Sequence, residues 1–190
     1  ETILLRAEAW SRKADAGDPG SSQDPLSEDI DELIRRGTRE VDARNLRAAF
    51  FLDRGRADEA APDLEASIAK EPAQSSAWYL RGRLHAARGE QLPAVEDFDR
   101  AVANSRRPDA RYHLARGRAY LALRNGAKAL EDFDKALEAA PDDAAAHQAR
   151  GELLYSAGKP EAARQDFDAA VQRTPTAFAP RMKRAALHMG

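Results

Sequence analysis

Three pairs of carboxylates recur along the chain at a spacing of two: Asp97 and Asp99, Asp132 and Asp134, Asp166 and Asp168, flanking Phe98, Phe133 and Phe167. Paired carboxylates serve glycoside hydrolysis and hard-cation binding when both reach one point. On a helix, residues two apart face different sides, so neither a glycosidase-like pair nor a metal clamp follows. His113 and His147 stand at equivalent places, 34 residues apart, and a zinc ion would need both rings at once. Packed helices lie ~8–10 Å apart, too far for shared ligation, so both rings are expected in the core or at its boundary. His85 and His188 stand alone. The absence of Cys removes thiolate nucleophiles, disulfides and cysteine metal sites together, and leaves the redox compartment undecided. No Ser-His-Asp arrangement, phosphate loop or zinc motif appears, and the Gly spacing of GRLHAARG (82–89) belongs to turns. The chain is therefore expected to be no enzyme and to carry no metal or cofactor.

The elements that must position these residues are written several times over. Arg47-Ala48, Arg81-Gly82, Arg116-Gly117, Arg150-Gly151 and Arg184-Ala185 follow one another at intervals of 34, 35, 34 and 34 residues. Sixteen residues after the first four of these arginines stand Asp63, Asp97, Asp132 and Asp166. Such a period marks a solenoid whose units bury a face against each neighbour. The fixed offset reads as a ladder of structural ion pairs between first and second helices: Arg47 with Asp63, Arg81 with Asp97, Arg116 with Asp132, Arg150 with Asp166. The guanidinium fork would hold the carboxylate while the arginine stem covers apolar surface; the alternative is solvated surface charge. Gly82, Gly117 and Gly151 fall inside otherwise good helices, where Gly costs up to ~1 kcal/mol against Ala. The two helices of a hairpin are therefore expected to approach closely there, with Ala94, Ala129 and Ala163 opposite.

Charged residues make up 33% of the 190, and the formal net charge is −2. That balance argues against a broad electrostatic grip on nucleic acid or anionic membrane. No apolar run approaches the ~18 residues of a membrane span, so a soluble protein is expected, cytoplasmic or, with a leader removed, periplasmic or secreted. The chain opens Glu1-Thr2-Ile3 and reads as a piece of something longer. Arg is far commoner than Lys and Ala is abundant, which hints at a bacterial gene rich in GC.

Residues 1–40 read as a degenerate copy. A first helix over Glu1 to Ala14 carries Ile3, Leu4, Ala7 and Trp10 as its apolar stripe; a loop over 15–25 gathers Gly, Ser, Asp and Pro; a second helix follows, opened by Asp24-Pro25. Repeats follow over 41–74, 75–109, 110–143 and 144–177. The segment 178–190 reads as a partial repeat or a capping helix, with Phe178, Met182, Ala185 and Met189 on its apolar side. One extra residue in the exit 104–109 accounts for the interval of 35.

Set side by side, the copies align an aromatic or His (Trp78, His113, His147), a Gly four residues later, Ala60, Ala94, Ala129 and Ala163, a Phe or Leu four residues after each Ala, and closing Pro72, Pro141 and Pro175. This pattern resembles the tetratricopeptide repeat over about 41–175. The resemblance implies an all-α fold, a right-handed superhelical solenoid of antiparallel helix pairs with four to five copies, counting the degenerate one. It also implies a non-enzymatic scaffold that holds a protein or peptide partner of unknown identity in a concave groove lined by the first helices. Arg before the Gly departs from the family pattern, which usually has a large apolar residue there.

By the same resemblance the groove takes Asp42, Asn45 and Ala49, then Ser76, Tyr79 and Arg83, then Arg111, Leu114 and Arg118, then Ala145, Gln148, Glu152 and Tyr155. Asn45, Tyr79, Arg83, Arg111, Arg118, Gln148, Glu152 and Tyr155 are the candidate contacts, and the basic centre suits an acidic or carboxylate-bearing segment. Some family members clamp a C-terminal carboxylate with Lys and Asn. Here the matching sites hold Asn45, Ala49, Leu80, Arg111 and Ala115, so that ligand does not carry over. Two further classes stay open: a structural, oligomerising or accessory segment of a larger protein, and a helical-repeat nucleic-acid binder. Overall acidity and the lack of a code-like polar pair in every copy argue against the last.

Overall fold

The computed structural model describes residues 25–37 and 39–174. The helix expected over 1–14, the loop up to 24 and the segment 178–190 lie outside the described residues. Among the described residues the structure is helical without strands. In chain order the helices are α1 (Pro25–Arg35), α2 (Glu40–Asp53), α3 (Ala57–Lys70), α4 (Ser75–Ala87), α5 (Gln91–Asn104), α6 (Ala110–Ala122), α7 (Gly126–Ala139), α8 (Ala144–Ser156) and α9 (Pro160–Arg173). They fall into two compact units, with α1–α5 in the first, up to Asn104, and α6–α9 in the second, from Ser105. The division lies in the connection that carries the extra residue.

Within each unit a first helix folds back on its second: α2 on α3 and α4 on α5, then α6 on α7 and α8 on α9. The reversals are tight because three of the four turns place a glycine in the left-handed region, Gly55 at φ 72°, Gly89 at 79° and Gly158 at 73°. The fourth puts Arg124 there, at φ 61°. A side chain in that region costs roughly 1–2 kcal/mol. Arg124→Gly is therefore expected to stabilise the second unit, by up to about 1 kcal/mol after the looser unfolded chain is counted. A chemical-denaturation midpoint at or below that of the parent would contradict this.

The glycines inside first helices have a specific occupant. A β-carbon built on Gly82 would lie 2.5 Å from Cε1 of Phe98; on Gly117, 2.6 Å from Cε1 of Phe133; on Gly151, 2.8 Å from Cε1 of Phe167. The three rings are buried, at 1%, 0% and 1% exposure. The expectation that Ala94, Ala129 and Ala163 face these glycines is corrected: the alanines are fully buried, but they lie one turn nearer the hairpin loop. Each glycine meets the ring 16 residues on, Gly82 with Phe98, Gly117 with Phe133 and Gly151 with Phe167, as each arginine meets the aspartate 16 residues on. Where Ala48 replaces the glycine, Leu64 replaces the ring, and both are fully buried, so a larger residue on one helix is matched by a smaller one on the other.

Each unit closes its core between hairpins. In the first, Ala48, Ala60 and Leu64 pack with Leu80 and Leu84 of the next copy, and Ile30 and Leu33 of α1 pack on Ala43 and Phe50. Helix α1 thus covers α2 as a preceding second helix would, Ile30 standing 34 residues before Leu64. In the second unit Leu114, Phe133 and Leu137 meet Ala146 and Ala149.

Candidate functional site

The contacts that repeat from copy to copy decide which charges are free to act. Arg81 holds Asp97 through Nε at 2.7 Å and Nη2 at 2.8 Å. Arg116 holds Asp132 at 2.9 and 2.6 Å, and Arg150 holds Asp166 at 2.8 Å through both nitrogens. Arg47 does the same to Asp63 at 2.5 and 2.7 Å. The four carboxylates are 2–3% exposed, so each is a two-toothed, charge-assisted contact at a desolvated oxygen pair rather than solvated surface charge.

A second nitrogen reaches three of the four carboxylates at hydrogen-bond distance. Arg44 lies 3.1 Å from Asp63, His113 3.2 Å from Asp132 and His147 2.8 Å from Asp166, each 19 residues before its aspartate. Trp78, at the same place in the second copy, instead donates to the carbonyl of Pro72 at 2.6 Å. There the nearest ring is that of His85, whose Nε2 stands 3.6 Å from Asp97, beyond hydrogen-bond reach, while Nδ1 is 2.5 Å from Glu90, so His85 is not isolated as the sequence suggested. His147 also sets Nε2 2.9 Å from the carbonyl of Pro141. Each imidazole attends its own aspartate, and among the described residues no three potential metal ligands gather.

One effect of these contacts is a pH dependence. Burial pushes the Asp132 carboxyl up, yet the hydrogen bonds from His113 and Arg116 outweigh it and hold the group below the ordinary aspartate range. A depressed carboxylate contributes stability that is complete above its unfolded value near 3.9 and is lost as pH falls through the folded one. Urea midpoints are therefore expected to drop between about pH 5 and pH 2, and to drop less in Asp132→Asn. Parallel curves for the two proteins would contradict that assignment.

Sequence reasoning missed the use of the second acid. Arg150 also binds Asp134 at 2.7 Å, and Arg47 also binds Asp31, in each case an acid 16 residues before the arginine. Glu65 stands in that register before Arg81 and adds to the field that raises its affinity for the proton, after the Asp97 hydrogen bond. Arg47 and Arg150 thus each grip the second helix of their own copy and that of the preceding one. Counting backwards would have found the signal, since Asp31, Glu65, Asp99, Asp134 and Asp168 follow at 34, 34, 35 and 34 residues.

What remains for a partner is the other side of the first helices. In the first unit Arg83 lies over the ring of Tyr79, 5.9 Å from its centroid, and donates through Nη2 to Asp53 at 2.6 Å. Asn45 is 7% exposed and donates to Gln74 at 2.5 Å and Ser76 at 3.3 Å; as a groove contact it is corrected, because the seam between α2 and α4 encloses it. In the second unit Arg111 is held by its own helix cap, Nε and Nη2 reaching Asp109 at 3.0 and 2.7 Å. That pairing holds the Asp109 carboxyl below the ordinary range. Arg118 is exposed, and the described residues offer it no ion-pair partner. Gln148 donates to Glu152 at 2.9 Å, Tyr155 is 54% exposed, and Leu114, at 8%, belongs to the core.

Among the described residues no helix is long and apolar enough to cross a membrane. The human mitochondrial import receptor subunit TOM70 is 28% identical over 150 residues, which are 72% of this chain and 24% of that protein. The chain thus spans about a quarter of the length of that relative. Among solved structures, TTC0263, a thermophilic tetratricopeptide-repeat protein of Thermus thermophilus, superimposes with a TM-score of 0.79 at 17% identity, covering 100% of this chain and 98% of that one. The first tetratricopeptide-repeat domain of Spaghetti (RPAP3), bound to the HSP90 peptide SRMEEVD, matches with a TM-score of 0.59 at 17% identity over 61% of this chain and 94% of its own. The family model of the tetratricopeptide repeat matches residues 48–111 and 114–178. With its helix pairs, glycine-seated rings and near-constant period, this chain belongs to the tetratricopeptide repeat family.

Proposed function

We propose that the chain is a non-enzymatic interaction scaffold whose first-helix faces receive an acidic or carboxylate-bearing segment of a protein partner. The observation that carries this reading is the sorting of its arginines. Those of the ladder are held by buried aspartates, whereas Arg83, paired with the exposed Asp53, Arg111, paired with its helix cap Asp109, and Arg118 stand on first helices at or near the surface. Arg83 has a tyrosine ring beneath it, an arrangement that offers a bidentate donor and a rigid apolar platform together. Family membership supports the scaffold role, and a fold relative bound to a peptide with two glutamates and an aspartate is in keeping with the charge.

Fluorescence anisotropy with a labelled hexaglutamate peptide bearing a free C-terminal carboxylate tests the reading. The protein is expected to bind it in a salt-dependent manner, and Arg83→Glu, Arg111→Glu and Arg118→Glu together to weaken binding by at least about tenfold. Equal binding by parent and triple variant would refute it.

A further inference from the structure

Features copied in every repeat serve the fold, so a feature present in one copy invites a functional account. Asp53 is such a feature: the equivalent positions, at 34, 35 and 34 residues further on, hold Ala87, Ala122 and Ser156. Its carboxylate occupies Arg83, with Oδ1 2.6 Å from Nη2, and the two side chains are 55% and 32% exposed. One guanidinium nitrogen is engaged, unlike the two-toothed grip within the ladder. The platform under it is firm, since the Tyr79 ring lies 6.0 Å from the buried ring of Phe98.

We infer that Asp53 is an internal competitor for Arg83, a carboxylate of this chain that an incoming partner carboxylate must displace. This rests on the reading above, in which Arg83 receives the partner's acid. The physics fits displacement: exposed pairs of this kind shift an equilibrium by no more than about fivefold, little enough for a ligand that engages the whole fork to overcome. A segment offering a single weak acceptor gains nothing by the exchange, while one offering a bidentate carboxylate does. Asp53 therefore sets a selectivity threshold at this position.

Asp58 provides the control. It pairs with Arg88, with Oδ1 2.5 Å from Nη2, across the same 30-residue interval, and it is 88% exposed. Removing it changes the net charge of the unit by the same amount. With the hexaglutamate probe, Asp53→Asn is expected to bind up to about fivefold tighter than the parent, and Asp58→Asn to stay close to it. In Arg83→Gln the Asp53→Asn gain should vanish, because there is no longer an arginine to release. A gain of equal size in Asp58→Asn, or one that survives Arg83→Gln, would be a general charge effect and would overturn the inference. No gain in Asp53→Asn, with binding still lost in Arg83→Gln, overturns the competitor and leaves the scaffold reading standing. Unchanged binding in Arg83→Gln overturns the competitor and the part of the reading above that gives Arg83 to the partner's acid, while the triple variant still decides the rest.

Discussion

Asp132→Ala is expected to cost about 3–5 kcal/mol, the range for removing one partner of a buried ion pair. The variant keeps Arg116, whose side chain is 14% exposed, and His113, at 12%, facing an empty place where two carboxylate oxygens accepted from both. Burial keeps both side chains at the hairpin. The neighbouring Glu131 is a built-in comparison: its pair with Lys135, at 2.6 Å, is 64% and 42% exposed. Glu131→Ala should therefore leave the unfolding midpoint close to that of the parent. Guanidinium unfolding followed by circular dichroism reads both. Similar costs at 131 and 132 would mean that the ladder is surface decoration.

The second large effect is Gly82→Ala, which adds the residue a helix prefers and is still expected to destabilise. Helix propensity favours the change by up to ~1 kcal/mol. Against that, the new methyl would lie 2.5 and 2.6 Å from two ring carbons of Phe98, and the ring, 1% exposed, has nowhere to swing. Overpacking of this sort costs about 1–3 kcal/mol beyond the propensity gain. The approach is wider at Gly151, 2.8 Å, so the same substitution should be milder there. Phe98→Leu in the Gly82→Ala background should restore part of the loss, because the first copy already pairs Ala48 with Leu64. A stabilised Gly82→Ala protein, measured by thermal melt, would mean that the helices of this hairpin stand further apart.

The period and the Arg-to-Asp offset could be read from residues alone because an antiparallel hairpin with a tight turn fixes which residues meet. Antiparallel partners keep a nearly constant sum of residue numbers, so Arg81 facing Asp97 brings both Phe98 and Ala94 to about the level of Gly82; that the ring takes the place beside the glycine is decided by side-chain packing. The neglected step for Asp134 was one of direction. Each offset was counted forward within a copy, although an arginine on one first helix can also reach the second helix before it. Other features were beyond such arithmetic. The burial of Asn45 depends on how α4 seats against α2, and the pairing of Arg83 with Asp53 depends on rotamers of exposed side chains that differ by fractions of a kcal/mol. Groove chemistry is least legible in a repeat protein because it is the part that the repeat does not copy.

The central claim is that each buried carboxylate and its arginine act as one unit joining the two helices of a hairpin, and a double-mutant cycle tests it most directly. Arg116→Ala, Asp132→Ala and the double variant, unfolded in guanidinium at pH 7, should show a coupling free energy of about 2 kcal/mol or more, the double variant losing little beyond the worse single one. Losses that simply add, to within about 0.5 kcal/mol, would contradict the ladder and the sorting of arginines that rests on it.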